Sequence, residues 1–239
     1  MATEHAFSVD GETVAAVHHP AKSDRWILFC HGFLSDKSGS YEARCERAVE
    51  EGYNAVRFDF RGSGNSDGAF VDSTLSTRIA DLVAVVDHFS PPSYALFGSS
   101  FGAKTALPAA TDTPRLEAIV ARSPVTYNRA FEPYRDAVEA ESRLRFDGDR
   151  AIDGRFFEDF ETYEFESITA RLGVPIAIFH GTADESVPVG DSFEAAAALE
   201  TDVYLAKYTD EGHRFSEAAE RRLREQAFGW LETVYKTGA

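Results

Sequence analysis

Apolar residues along this chain fall into short blocks set between longer amphipathic stretches, and the spacing inside each stretch decides what it predicts. The segments 25–30, 53–59, 93–97, 116–121, 174–179 and 202–208 are dense in aliphatic and aromatic residues, which predicts strands, mostly buried on both faces. The opening Ala6-Phe-Ser-Val-Asp10-Gly11-Glu-Thr-Val-Ala-Ala-Val17 alternates instead and breaks at Asp-Gly, the residues of a tight hairpin turn. Between strands the period becomes helical. Tyr41, Cys45, Ala48 and Val49 share one face of 40–51, and Leu75, Ile79, Leu82, Val86 and Phe89 share one face of 75–89. Further helices are expected over 193–199 and from Ser216 to about Tyr235. Two hairpin strands and six blocks alternating with helices predict an α/β fold with a mostly parallel, eight-stranded sheet flanked by helices.

The alternation fails once, between Ser123-Pro124 and Gly173-Val-Pro175. Some fifty residues there show no strand pattern, yet Tyr127, Phe131, Tyr134, Phe146, Phe156, Phe157, Phe160, Tyr163 and Phe165 punctuate them amid many charges. A structureless connection of that length is improbable in a compact domain. Residues 124–172 are therefore expected to form a small helical cap within one domain spanning 1–239.

The candidate chemistry sits at the ends of the predicted strands. Gly98-Ser99-Ser100-Phe101-Gly102 joins the 93–97 block to a helix-like run that Pro108 should disturb. A serine on a sharp strand-to-helix turn projects its hydroxyl clear of the sheet, and the register makes Ser100 the nucleophile and Ser99 the bystander. A serine needs a base, and the base needs a carboxylate to orient it. His213 follows the 202–208 block in Thr-Asp-Glu-Gly-His213. Asp184 follows the 174–179 block in His180-Gly-Thr-Ala-Asp184, with Glu185 its main rival and Asp210 a weaker one. Ligands of a parallel sheet gather at the carboxyl ends of its strands, so Ser100, Asp184 and His213 can converge there. Two backbone donors for an oxyanion are expected from Phe101, at the helix start, and from Phe33, which follows His31-Gly32 after the first block. The other histidines read as structural, His31 and His180 bonding within the loops that carry Phe33 and Asp184. Arg61-Gly-Ser-Gly64 lacks the spacing of a phosphate cradle and is expected at the pocket rim.

These motifs resemble the α/β-hydrolases, and among them the small carboxylesterases and feruloyl (cinnamoyl) esterases near the serine aminopeptidase group. The resemblance runs from about residue 13 to 235 and rests on His31-Gly-Phe33, Val56–Gly68, the turn at Ser100, His180-Gly-x-x-Asp184 and Gly212-His213. It departs at Ser99, where many relatives carry histidine, and at Ala103-Lys104 after the second glycine. It implies an α/β-hydrolase fold and a cap that shapes the pocket. Leu34, Tyr127, Phe131, Val187 and Phe215 are the candidate substrate contacts. The expected activity is cofactor- and metal-independent hydrolysis of a small-molecule ester. A thioesterase, or an exopeptidase using Glu132, Glu139 or Asp159 to hold a free amine, is the alternative within the class; a ligand-binding receptor without turnover is the alternative outside it.

Composition narrows the partners. The chain carries 40 Asp and Glu against 24 Lys and Arg, a formal net charge of −16, which repels nucleic-acid backbones and anionic membranes. Such a surplus also suits a salt-adapted source. No apolar run is long enough to span a membrane and the first residues are polar, so a cytoplasmic location is expected. Cys30 and Cys45 read as packing residues rather than a disulfide or a metal site.

Overall fold

A computed structural model describes residues 1–113 and 115–237, with Asp112 and Thr237 described by backbone alone. Strands β1 (Thr3–Val9) and β2 (Glu12–His19) form the hairpin, turning at Asp10 and Gly11 with φ of 52° and 88°. Two successive positive φ values match the right-handed twist of the paired strands. The chain then alternates through β3 (Trp26–Cys30), α1 (Ser40–Glu50), β4 (Asn54–Phe58), α2 (Leu75–Phe89), β5 (Tyr94–Ser99), α3 (Phe101–Ala109) and β6 (Leu116–Arg122). An insertion follows, containing α4 (Glu132–Glu141), β7 (Arg143–Arg145), β8 (Ala151–Asp153), α5 (Gly154–Phe160) and α6 (Glu166–Thr169). The sheet resumes with β9 (Ile176–Gly181), α7 (Val189–Ala198) and β10 (Val203–Tyr208), and α8 (Glu217–Thr237) closes the fold.

Eight strands form one sheet in the order β1-β2-β4-β3-β5-β6-β9-β10. Pairing is antiparallel at β1–β2 and β2–β4 and parallel from β4 to β10. Alternate residues serve opposite layers. Ile27 and Phe29 face Tyr41, Cys45, Leu223 and Leu231 of α1 and α8, whereas Leu28 and Cys30 face Leu82, Val85, Ala106 and Leu107 of α2 and α3. Both faces being covered, the central strands must be apolar throughout.

Most element limits shift by one to three residues from the sequence expectation, and two helix boundaries have a specific cause. Helix α7 starts at Val189 rather than 193, because extended Pro188 delivers the chain into the helix and Asp191 sits favourably in its first turn. Helix α3 runs through Pro108 to Ala109, since a proline one residue from the end removes a single terminal bond, and the chain then tightens into a 3-10 turn at Ala110–Asp112.

The insertion between β6 and β9 contains helices, as expected, and also the β7–β8 hairpin, whose turn carries Gly148 at φ 48°. Phe131, Phe156, Phe157 and Phe160 bury against Phe70, Leu75, Phe101 and Val187 in a third apolar cluster. Phe33 packs against it from the cleft side, its ring edge-on to those of Phe70, Phe131, Phe146 and Phe156. A buried amine pins the insertion to the domain: Lys104 Nζ, on α3, donates to Asn128 Oδ1 at 2.7 Å and to the carbonyls of Tyr163 at 2.7 Å and Thr126 at 3.2 Å.

Candidate active site

Chain order makes β3 a switch point, because α1 leads to β4 on one side of it and α2 returns to β5 on the other. A crevice opens at the carboxyl ends of strands that part in this way. Ser100 stands there, between β5 and α3, at φ 54° and ψ −118°. That strained backbone is held by its own hydrogen bonds: the Ser100 amide donates to Arg122 O at 2.9 Å, and its carbonyl accepts from Ala103 N at 3.0 Å and Val125 N at 3.2 Å. The flanking glycines are steric requirements. A Cβ on Gly98 would collide with the Ala103 backbone, and one on Gly102 with the Cys30 carbonyl.

Ser100 Oγ lies 3.0 Å from His213 Nε2, and His213 Nδ1 lies 2.8 Å from Asp184 Oδ2. The carboxylate fixes the tautomer: Nδ1–H donates to Asp184, leaving Nε2 to accept the Ser100 hydroxyl proton. Asp184 is itself held from three further sides. Its Oδ1 accepts the Ser186 and Val187 amides, each at 2.9 Å, and its Oδ2 accepts His180 Nε2–H at 3.2 Å. Burial alone would raise the Asp184 carboxyl, but the hydrogen bonds from His180, His213 and the Val187 amide outweigh it and hold the group well below the usual carboxylate range. Glu185 is exposed and Asp210 gives its amide to Thr182 Oγ1; among the described residues Asp184 is the carboxylate that meets His213. His180 thus does more than brace its own loop. Its Nε2–H is shared between Asp184 and the Val187 carbonyl, while Nδ1 accepts from Ser192 Oγ at 2.7 Å.

The two expected oxyanion donors flank Ser100. Phe101 opens α3, so its amide is one of the helix's intrinsically unpaired donors. A Cβ on Gly32 would stand 3.3 Å from Ser99 O and 3.5 Å from Ser100 Cβ, which puts the Gly32–Phe33 peptide against the serine. His31 orients that peptide. Its Nε2 accepts the Phe60 amide at 3.1 Å, so Nδ1 carries the proton and donates to Gly32 O at 2.9 Å. With the Gly32 carbonyl turned to His31, the Phe33 N–H of the same trans peptide points the opposite way.

A cleft of about 460 Å³ opens beside Ser100 and His213. Leu34 and Phe215 line it together with Phe33, Tyr41, Arg122 and Glu220, and none of its lining residues comes from 124–172. The cap contacts expected from sequence are therefore displaced. Tyr127 packs edge-on against Phe165 under Arg129 in the core beside α3, and Phe131 is enclosed by Phe33, Phe101 and Phe160. Both rings gain more contact from apolar neighbours than the cleft offers. Val187 likewise gives its side chain to the cap cluster and its backbone to Asp184 and His180. The Arg61–Gly64 loop does not reach the cleft either. Asp59 just before it binds the Lys37 amide at 2.7 Å and so buttresses the Asp36–Ser38 rim from behind. Of the carboxylates considered as amine anchors, Asp159 is bound to Ser76, and none lines the cleft.

Sequence reasoning missed the charged floor of the cleft. Arg44 of α1 donates to Ser99 Oγ at 3.1 Å and bidentately to Glu220 of α8 at 2.8 and 2.9 Å. Arg122, at the end of β6, reaches Ser99 Oγ at 3.5 Å, approaches Glu220 at 3.7 Å and donates to the His213 carbonyl. Ser99 is thus the small acceptor that lets two guanidiniums meet under the serine. The four residues stand far apart in the chain and carry no local motif; the unexpected Ser99 is the one available signal.

The model of the prolyl oligopeptidase family matches residues 40–237. The chain belongs to that family. It is also similar to the human mitochondrial palmitoyl-protein thioesterase ABHD10, at 28% identity over 216 residues covering 82% of this chain and 69% of that one. Among solved structures, alpha/beta hydrolase domain-containing protein 10 from mouse superposes with a TM-score of 0.84 at 20% identity, covering 97% of this chain and 99% of the other. Est1E from Butyrivibrio proteoclasticus with ferulic acid bound gives a TM-score of 0.83 at 21% identity over 95% and 99% of the two chains. The fold is that of the α/β hydrolases.

Proposed function

We propose that this chain is a cofactor-independent serine hydrolase that cleaves small carboxylic esters through an acyl-enzyme. The observation that carries the reading is the unbroken line Ser100 Oγ, His213 Nε2, His213 Nδ1, Asp184 Oδ2, at 3.0 and 2.8 Å. Ser100 Oγ attacks the ester carbonyl as His213 takes its proton, and Asp184 keeps the imidazole in the required tautomer. The Phe33 and Phe101 amides receive the oxyanion. His213 then passes the proton to the leaving alcohol, and water repeats the cycle on the Ser100 ester.

A thioester substrate is the second reading, favoured by the likeness to a palmitoyl-protein thioesterase. Against a long acyl chain stands the packing of the cap, whose rings close on Phe33 and Phe101 instead of lining an open groove. Peptide cleavage is the third possibility that the family name raises. None of the three carboxylates considered as an amine anchor lines the cleft, which counts against an exopeptidase. The test is a panel of p-nitrophenyl esters, acyl thioesters and aminoacyl anilides, run beside fluorophosphonate labelling. Turnover of short esters with label on Ser100 is expected; absence of both turnover and label overturns the hydrolase reading in favour of a binding protein.

A further inference from the structure

Under acyl transfer at Ser100, a reading on which the present inference rests, the two halves of an ester lie on different sides of the serine. His213 must return its proton to the leaving oxygen, so the leaving alcohol lies on the His213 side. That side is the cleft floored by Arg122.

The charge there is opposite to that of the molecule. Two guanidiniums, Arg44 and Arg122, share one carboxylate, Glu220, which leaves a positive charge beneath a cleft in a protein of net charge −16. Arg44 is sealed, being 1% exposed and committed to Glu220 and Ser99. Arg122 is 9% exposed, and its donors are not all used. Nε faces Ser99 and Glu220, and Nη1 donates to the His213 carbonyl. Among the described residues Nη2 has no hydrogen-bond acceptor, yet it is not among the atoms sealed from solvent. A buried guanidinium fork with spare N–H groups facing an open cleft is built for a planar anion. The other charged groups lining the cleft are Arg214, exposed on the His213 loop, and Asp36, whose Oδ1 accepts the Ser38 amide at 2.7 Å.

We propose that Arg122 anchors a carboxylate carried by the leaving alcohol of the substrate. One surplus positive charge suits a monoanion rather than a doubly charged phosphate. The acyl half is left to the Phe33 and Leu34 end of the same cleft.

The experiment compares 3-carboxyphenyl acetate with 3-carbamoylphenyl acetate, matched in shape and different in charge. The ratio of their kcat/KM values is divided by the same ratio for hydroxide-catalysed hydrolysis. The wild-type corrected ratio should exceed one despite the acidic surface, and in Arg122→Gln it should fall by about tenfold. Arg122 also holds the His213 carbonyl, so the neutral ester absorbs any loss of catalytic alignment and the ratio isolates the carboxylate. A wild-type ratio at or below one, or a ratio unchanged in Arg122→Gln, overturns the assignment while leaving the hydrolase reading intact. Should Arg122→Gln not fold, inhibition of wild-type phenyl acetate hydrolysis decides: benzoate stronger than benzamide by about fivefold supports the site, and equal inhibition overturns it. If neither ester is cleaved and Ser100 resists a fluorophosphonate, the hydrolase reading fails and the assignment fails with it.

Discussion

At the scale of single residues, adjacent serines have opposite surroundings. Ser100 faces His213 across 3.0 Å, whereas Ser99 is buried and accepts from Arg44. Ser100→Ala should abolish p-nitrophenyl acetate hydrolysis, and Ser99→Ala should keep most of it while lowering the melting temperature, because Arg44 loses one acceptor and keeps Glu220. Asp184→Asn should lower kcat by about four orders of magnitude through the wrong imidazole tautomer. Stopped assays on purified variants check all three. His31 offers a pH test. Burial, with Arg78 adding to it, pushes its imidazole down to about 3, far below the unfolded value. Between about pH 6.5 and 3 the unfolded chain holds the proton that the native chain refuses, so His31's contribution is complete above about 6.5 and lost as pH falls through that window. Urea midpoints measured from neutral to acid pH should fall steeply in the wild type. His31→Asn should be less stable at neutral pH and show a shallower acid slope.

At the scale of elements, Lys104 joins α3 to the insertion without a carboxylate partner. Burial lowers its amine to about 8, with Glu166 and Glu164 opposing from a distance. An unfolded lysine titrates near 10.4, so from about pH 8 to 10 the native state releases its proton first and stability rises with pH by an amount of order 3 kcal/mol at most. Thermal melts across that range should show Lys104→Met losing ground to the wild type as pH increases; parallel curves would mean that the native amine titrates as it does in the unfolded chain. The elements themselves are largely readable in the sequence. All eight sheet strands follow from apolar blocks and one Asp-Gly turn, because period and turn chemistry are local. The β7–β8 hairpin carries the same Asp-Gly signal at Asp147-Gly148, but its strands are three residues long with arginines at both ends of β7, too short for alternation to register. The line Ser100, Asp184, His213 is legible because each member ends a strand in a recognisable turn. Arg44, Arg122 and Glu220 each look like an ordinary surface charge, and only the packing of α1, β6 and α8 brings them together. Tyr127 escapes sequence reasoning for a related reason: nearness in sequence to a strand end says nothing about which side of the sheet the ring will enter.

At the scale of the whole molecule, the surplus of acid decides how stability responds to salt. Many of the basic residues already have carboxylate partners, among them Arg25 with Glu232, Arg61 with Asp81, Arg129 with Asp191 and Arg155 with Asp72. The remaining carboxylates repel one another over distances longer than an ion pair. Monovalent salt acts unequally on the two: charges beyond about 10 Å are screened at 0.1 M, while buried contacts such as Arg44 with Glu220 are screened far less. Exposed pairs are each worth only about 0–1 kcal/mol, so their weakening costs little beside the relief of a net charge of −16. The melting temperature should therefore rise with sodium chloride well past physiological strength. Potassium and sodium chloride should act alike if screening is the cause, and a specific cation effect would point instead to ion binding by clustered carboxylates. A flat or falling curve in both salts would show that the surface ion pairs outweigh the repulsion, and that the acidity is not an adaptation to salt.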